Sequence, residues 1–113
     1  MKQPCVYIMT NCWMGRTYIG STSDLVNRVY QHKTGFFKDS HSDRYNLDKL
    51  VWYEVQGDME HAVVREKQLK KWNKSWKQRL VIESNPEWND LSEDICPGIT
   101  AEINNLRFPP SRE

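Results

Sequence analysis

The sequence predicts a small α+β domain in which a three-stranded antiparallel sheet is flanked by helices. Two short alternating runs, residues 4–9 and 17–21, are joined by a polar loop, and a nearly continuous apolar run follows at 49–55. Segments with helical spacing come after the second and third runs. The length of 113 residues allows one domain with a single core.

The first two strands form a predicted hairpin. Val6 and Ile8 alternate with Tyr7 in the first run, which predicts a strand with one face in water. The second run places Tyr18 and Gly20 on the same face. An isolated glycine in a strand marks a bulge or a close backbone approach, and we predict that a phosphate approaches Gly20.

The first helix follows Ser23 or Thr22, which can cap it, with Asp24 in its first turn. Arg28 and His32 are four residues apart and therefore lie on one helical face. An exposed Asp-Arg pair is the alternative interpretation of this face. Residues 33–46 are predicted to form a long loop.

The third strand ends before Asp58, which is predicted to cap a second helix. Glu66 lies at the centre of the inward stripe of this helix, where an unpaired charge is costly. Two interpretations remain open: Glu66 forms an ion pair with Lys70, or it binds a metal ion. Asn73 is seven positions further and is predicted on the same side.

A further helix is predicted to place four apolar side chains against the sheet, those of Trp72, Trp76, Leu80 and Ile82. The pattern breaks at residues 85–88, and the remainder lacks periodicity. We therefore divide the chain into a domain at 1–88 and an acidic, largely irregular tail at 89–113.

Charge is unevenly distributed along the chain. Residues 1–82 carry fourteen Lys and Arg against eight Asp and Glu, whereas residues 83–113 carry two against seven. A clustered basic face is typical of proteins that bind the phosphate backbone, although a solvated helix face is the alternative. The cluster consists of Lys67, Lys70, Lys71, Lys74, Lys77 and Arg79.

The cysteines and the hydropathy favour a cytoplasmic protein. Cys5, Cys12 and Cys96 are far apart and form no Cys-x-x-Cys pair, which suits reduced thiols and argues against structural zinc. No apolar run approaches the roughly 18 residues of a membrane span.

The triplets Cys5-Val6-Tyr7 and Tyr18-Ile19-Gly20 resemble the motifs of the GIY-YIG endonuclease (URI domain) family, with Cys5 in place of the leading glycine. The order of hairpin, arginine helix, third strand and glutamate helix extends the resemblance over about residues 4–83. The run from Asn85 to Trp88 is similar to the ending of small stand-alone bacterial members. The resemblance implies a GIY-YIG-like fold.

The resemblance also implies roles for the tyrosines and the first helix. Tyr7 would lie beside the attacking water as general base or water positioner, and Tyr18 matches the tyrosine of the second triplet. Arg28 would contact the scissile phosphate, with His32 one turn later. A Tyr7 phenolate at pH 7 would cost roughly 4 kcal/mol unless Arg28 and the metal lower its pKa.

Glu66 matches the single carboxylate that binds one divalent ion, Mg²⁺ or Mn²⁺, and Asn73 matches a downstream asparagine that supports the site. One carboxylate suffices because magnesium keeps several waters and takes ligands from the phosphate. Phosphate or DNA contacts are expected from Gly20 and from five lysines, Lys67, Lys70, Lys71, Lys74 and Lys77.

The implied function is that of a metal-dependent DNA endonuclease acting on structured, nicked or damaged DNA. The chain has no separate recognition domain, so specificity would come from phosphate contacts, DNA shape or a protein partner. Two alternatives stay open: a nucleic-acid-binding module that kept the fold without turnover, and a protein-interaction domain that uses exposed tryptophans.

Overall fold

The computed structural model describes residues 3–34, 47–99 and 101. The predicted α+β class with a three-stranded antiparallel sheet is confirmed, and the strand order is β2-β1-β3. The strands are β1 (Cys5–Thr10), β2 (Thr17–Thr22) and β3 (Lys49–Val55). The helices are α1 (Leu25–Lys33), α2 (Met59–Lys70), α3 (Lys74–Ser84) and the short α4 (Ser92–Ile95).

The central strand β1 is buried on both faces, so the prediction of a wet face is wrong. Tyr7 belongs to a core that includes Leu25 and Val29 of α1. Val6 belongs to a second core that includes Leu69 of α2 and Val81 of α3. Helices cover both sides of the sheet, and a nearly continuous apolar strand such as β1 is typical of that arrangement.

Aspartates cap the first two long helices. Asp24 is itself the N-cap of α1, in place of the predicted Ser23 or Thr22, and its carboxylate accepts a hydrogen bond from the Asn27 backbone. Thr22 instead accepts from the Asp24 backbone amide. Asp58 caps α2 as predicted. Each cap satisfies an amide that the first helical turn leaves without a partner.

The predicted alignment of Asn73 with Glu66 on one helix is wrong. α2 ends at Lys70, and Asn73 begins the next helix by accepting a hydrogen bond from the Trp76 amide at 2.9 Å. Trp76 and Ile82 of α3 also do not pack on the sheet, because they are 51% and 39% exposed.

The segment after Trp88 packs against the domain, which the predicted irregular tail did not anticipate. Ile99 is buried in the first core. The Asp90 carboxylate accepts a hydrogen bond from the Leu50 amide at 3.1 Å and pairs with Lys33 of α1 at 2.7 Å. Residues 35–46 of the predicted loop and residues 100 and 102–113 of the predicted tail lie outside the described residues.

Within the described ranges, no helix is long and apolar enough to cross a membrane.

Candidate functional site

Three aromatic side chains meet on one face of the sheet, at the side covered by α1. β1 and β2 place Tyr7 and Tyr18 with ring centroids 6.3 Å apart, and α1 adds His32 at 5.8 Å from Tyr7 and 5.1 Å from Tyr18. The Tyr7 hydroxyl lies 3.2 Å from Nε2 of His32. The structure therefore brings together three of the residues that the sequence singled out.

Gly20 is the residue opposite Tyr7 in the antiparallel register. A Cβ at position 20 would lie 2.6 Å from the Tyr7 hydroxyl oxygen and 3.0 Å from the Tyr18 ring. Gly20 is also buried. The group that approaches this glycine closely is therefore the Tyr7 side chain. The sequence had predicted a phosphate there instead.

Burial keeps Tyr7 in its protonated form. The side chain is fully buried, and this desolvation, together with the charges of Tyr18 and Glu66, raises its pKa well above the ordinary value. Arg28 lowers the pKa through its charge and a side-chain hydrogen bond, but burial outweighs it. Arg28 therefore does not produce the phenolate considered from the sequence.

His32 is held neutral by the same surroundings. It is buried at the end of α1, and burial, followed by the charge of Arg28, lowers its pKa to about 4. At neutral pH the ring therefore has one nitrogen able to accept a proton. A neutral imidazole next to a neutral phenol can move a proton without creating a phenolate.

Glu66 lies at the border of this cluster, and its carboxylate is partly buried, with 18% of the side chain exposed. The Ser21 hydroxyl donates to Oε1 at 2.5 Å, and Nζ of Lys70 lies 2.7 Å from Oε2. The ion pair weighed from the sequence is therefore present.

The donor set near Glu66 fits a weakly coordinated divalent ion. The described part of the chain contains no group of three or more His, Cys, Asp or Glu side chains able to hold a metal. An ion at Glu66 would therefore draw its other ligands from water and phosphate, as magnesium does. Lys70 is 52% exposed, so its ammonium group can leave Oε2 without losing a buried contact.

The other predicted site residues lie in four places. Asn73 is exposed and caps α3, and Lys70 pairs with Glu66. Lys67 and Lys71 line a groove of about 510 Å³. Lys74 and Lys77 line a separate cavity of about 250 Å³ with Arg16 of the hairpin loop.

Ser21 is the site residue that the sequence did not identify. It follows Gly20 on β2, and its hydroxyl donates a hydrogen bond to Glu66, which lies 45 residues later in the sequence. Its face on the strand could be predicted from the alternation, but its contact with α2 depends on how the helix crosses the sheet edge. No local pattern contains that information.

Comparison with known proteins places the chain in a family. The GIY-YIG catalytic domain matches residues 3–79 of the chain. A UPF0213 protein of Aeromonas salmonicida (strain A449) is 33% identical over 99 residues, which cover 87% of this chain and 68% of that protein. No solved structure matches the chain at a significant level.

Proposed function

This chain belongs to the GIY-YIG family, and we propose that it is a divalent-metal-dependent endonuclease that hydrolyses phosphodiester bonds in DNA. The observation that carries the proposal is the neutral Tyr7–His32 pair beside Arg28, with the Glu66 carboxylate at the border of the cluster. A base, a fixed cation and an anionic ligand for a metal are the groups that phosphodiester hydrolysis needs.

In this proposal Arg28 binds the scissile phosphate. Its guanidinium can donate two parallel hydrogen bonds to phosphate oxygens. Its influence on the pKa of both Tyr7 and His32 shows that its charge acts inside the cluster. We therefore assign Arg28 to the negative charge that develops on the phosphate as water attacks.

The proton of the attacking water would pass to His32 through Tyr7. In this scheme the Tyr7 oxygen takes the proton of the water while its own proton moves to Nε2 of His32, 3.2 Å away. Tyr7 then never carries the negative charge that its burial disfavours. Tyr18 is only half-buried, and we place it at the mouth of the cluster, where it orients the water.

Glu66 would hold one Mg²⁺ or Mn²⁺, and the Ser21 hydroxyl would orient the carboxylate for it. When bound, the ion supplies Lewis-acid stabilisation of the leaving oxygen. Lys70 has to leave Oε2 for this, and its charge is then available to the DNA backbone.

The proposed substrate is structured, nicked or damaged DNA in the bacterial cytoplasm. Residues 1–82 carry a net charge of +6, from fourteen basic and eight acidic residues, which favours binding to the phosphate backbone. The three cysteines are free, as expected of a protein in a reducing compartment. A protein partner is a further possible source of specificity.

The second candidate is a DNA-binding module without turnover, and the Glu66–Lys70 ion pair favours it. In that case Glu66 would be structural and no metal would bind there. Under this second function the wild type binds DNA but does not cleave it with magnesium, whereas under the first function it cleaves DNA and the cleavage depends on Glu66.

The decisive variant is Glu66→Gln, with Lys70→Met as its matched control. Both variants remove the ion pair, but only Glu66→Gln removes the carboxylate. If Glu66 binds the metal, Glu66→Gln should fold, bind DNA in chelator and lose magnesium-dependent cleavage at least about a hundredfold, the scale of losing one charge-stabilising group in an active site. Lys70→Met should still cleave when DNA is saturating.

Cleavage rate and unfolding free energy should be measured on the same preparations. If Glu66 is only structural, both variants should lose on the order of 1 kcal/mol or less of stability, as expected for a partly exposed pair, with cleavage unchanged. Full activity of Glu66→Gln would reject the metal role.

A further inference from the structure

A groove on the outer side of α2 and α3 is not used by the proposed reaction. We call it the tryptophan groove. It has a volume of about 510 Å³, within the range of small-ligand sites. Trp76 and Val64 leave 51% and 62% of their surface exposed there. The groove is lined by Val64, Lys67, Gln68, Lys71, Trp72 and Trp76.

The Trp76 ring is held in place by its neighbours. Trp72 contacts it edge to face, with ring centroids 5.8 Å apart and planes at 85°. The guanidinium of Arg65 lies 5.6 Å from the Trp72 centroid and is itself bound to Glu54 at 3.0 Å. Trp76 is thus an aromatic surface in water that is supported on one side by Trp72.

The charge of the groove is positive. Lys67 and Lys71 belong to its lining, which contains no carboxylate among the described residues. Lys67 directly follows Glu66 on α2, so the groove and the candidate active site share this helix. A ligand that is flat, apolar on its faces and negatively charged along its length fits both features.

We propose that the tryptophan groove binds an unpaired base of DNA, stacked on Trp76, with the flanking phosphates at Lys67 and Lys71. Bases stack on aromatic side chains in most proteins that bind single strands, and lysines neutralise the backbone beside them. Bases in an intact duplex are already stacked and do not reach such a surface. The inference rests on the proposed function in taking DNA as the ligand, and it narrows the substrate to DNA that contains an unpaired segment.

A protein ligand fits the groove less well. Exposed tryptophans also mark protein interfaces, but lysine is depleted there relative to other surfaces. Two lysines beside Trp76, in a body with an excess of basic residues, match a polyanion better.

The test is a binding titration of the full chain in chelator, so that no cleavage occurs. The probes are a labelled oligothymidylate of about a dozen nucleotides and a fully paired duplex of similar length. Trp76→Ala should weaken oligothymidylate binding between about fivefold and a hundredfold, the loss measured for one stacked base, and leave duplex binding unchanged. Trp76→Phe keeps a ring and should retain most of the affinity.

Ile82→Ala is the matched control, because Ile82 is an exposed apolar residue of α3 outside the groove. It should bind both probes like the wild type. Replacing Lys67 and Lys71 together by Gln should flatten the salt dependence of oligothymidylate binding by about one to one and a half units of slope.

Wild-type affinity of Trp76→Ala for the oligothymidylate would overturn the proposal and leave the groove to a protein ligand. Equal loss in Trp76→Ala and Trp76→Phe would also reject stacking. The outcome is independent of the nuclease test. If Glu66→Gln is active and oligothymidylate binding depends on Trp76, only the metal role of Glu66 is rejected. If Glu66→Gln is inactive and binding does not depend on Trp76, only the proposed base-binding role of the groove is rejected.

Discussion

At the scale of single residues, Gly20 and Tyr7 share one space, because the Tyr7 hydroxyl occupies the volume that a side chain at position 20 would fill. The sequence indicated a close approach at Gly20 from the isolated glycine alone. It could not indicate the approaching group, because the pairing of Tyr7 with Gly20 is set by the strand register.

We predict that Gly20→Ala destabilises the protein by about 1–3 kcal/mol, the cost of overpacking a filled core. The new methyl group would meet the Tyr7 oxygen at 2.6 Å and the ring carbon that carries it at 2.8 Å. In a Tyr7→Phe background the oxygen is absent, so the penalty should be smaller by at least about 0.5 kcal/mol.

Urea denaturation of the wild type, the two single variants and the double variant measures this coupling. The Gly20→Ala variant should also lose most of the wild-type cleavage activity, because the displaced Tyr7 hydroxyl no longer reaches His32. Strictly additive effects on stability would show that the Tyr7 oxygen is not the cause of the Gly20→Ala penalty.

At the scale of elements, the sequence predicts a helix or strand best where a single local pattern determines its bounds. The run Lys49–Val55 is apolar and bounded by polar residues, and β3 has these bounds. Two successive helices were predicted, but the position of the break between α2 and α3 was missed because no Gly or Pro marks it, and Asn73 acts only through its side-chain cap. The burial of both faces of β1 was missed because it depends on which helices cross the sheet.

The run from Asn85 to Trp88, noted as part of a resemblance, has a structural role. Nδ2 of Asn85 donates to the carbonyls of Val51 and Asn89, and its Oδ1 accepts from the Asn89 amide. Trp88 adopts a φ of 54° and is buried in the second core. Asn85 thus fastens the end of α3 to the sheet.

Asn85→Ala should lower the unfolding free energy by about 2 kcal/mol or more, because it leaves buried backbone groups without hydrogen bonds. Asn27→Ala is the control, since Asn27 is exposed on α1 and its loss should change stability by about 0.5 kcal/mol or less. Chemical denaturation of both variants checks the prediction. If both variants change the unfolding free energy by the same small amount, Asn85 does not stabilise the packing of α3 on the sheet.

At the scale of the whole molecule, charge is segregated within the folded body. The five acidic residues between positions 83 and 94 precede or lie within the segment that packs on the first core, and Asp90 pairs there with Lys33. The asymmetry is a property of the sequence, and the acidic residues were expected in an irregular tail, whereas Ile99 of this segment is buried in the first core. Contacts between side chains that are distant in sequence, such as that of Asp90 with Lys33, cannot be predicted from the periodicity of apolar residues.

The stability of the whole domain should fall in two separate pH windows. His32 has a folded pKa of about 4, below its ordinary value near 6.5. Below about pH 6.5 His32 therefore binds a proton in the unfolded chain but not in the folded chain. The folded state loses stability progressively down to about pH 4. Asp90, whose pKa is also lowered, contributes stability that is lost only below about pH 4.

His32→Gln isolates the first window, because Gln keeps a polar group near Tyr7 but does not titrate. The wild type should lose on the order of 2–3 kcal/mol more than the variant between about pH 7 and about pH 4.5, the linkage expected for a buried histidine whose pKa is lowered this far. Urea unfolding at several pH values measures both curves, and the other histidines contribute equally to each. Parallel curves would mean that His32 accepts a proton in the folded state near pH 6, and the neutral imidazole required by the proposed proton transfer would then exist only at higher pH.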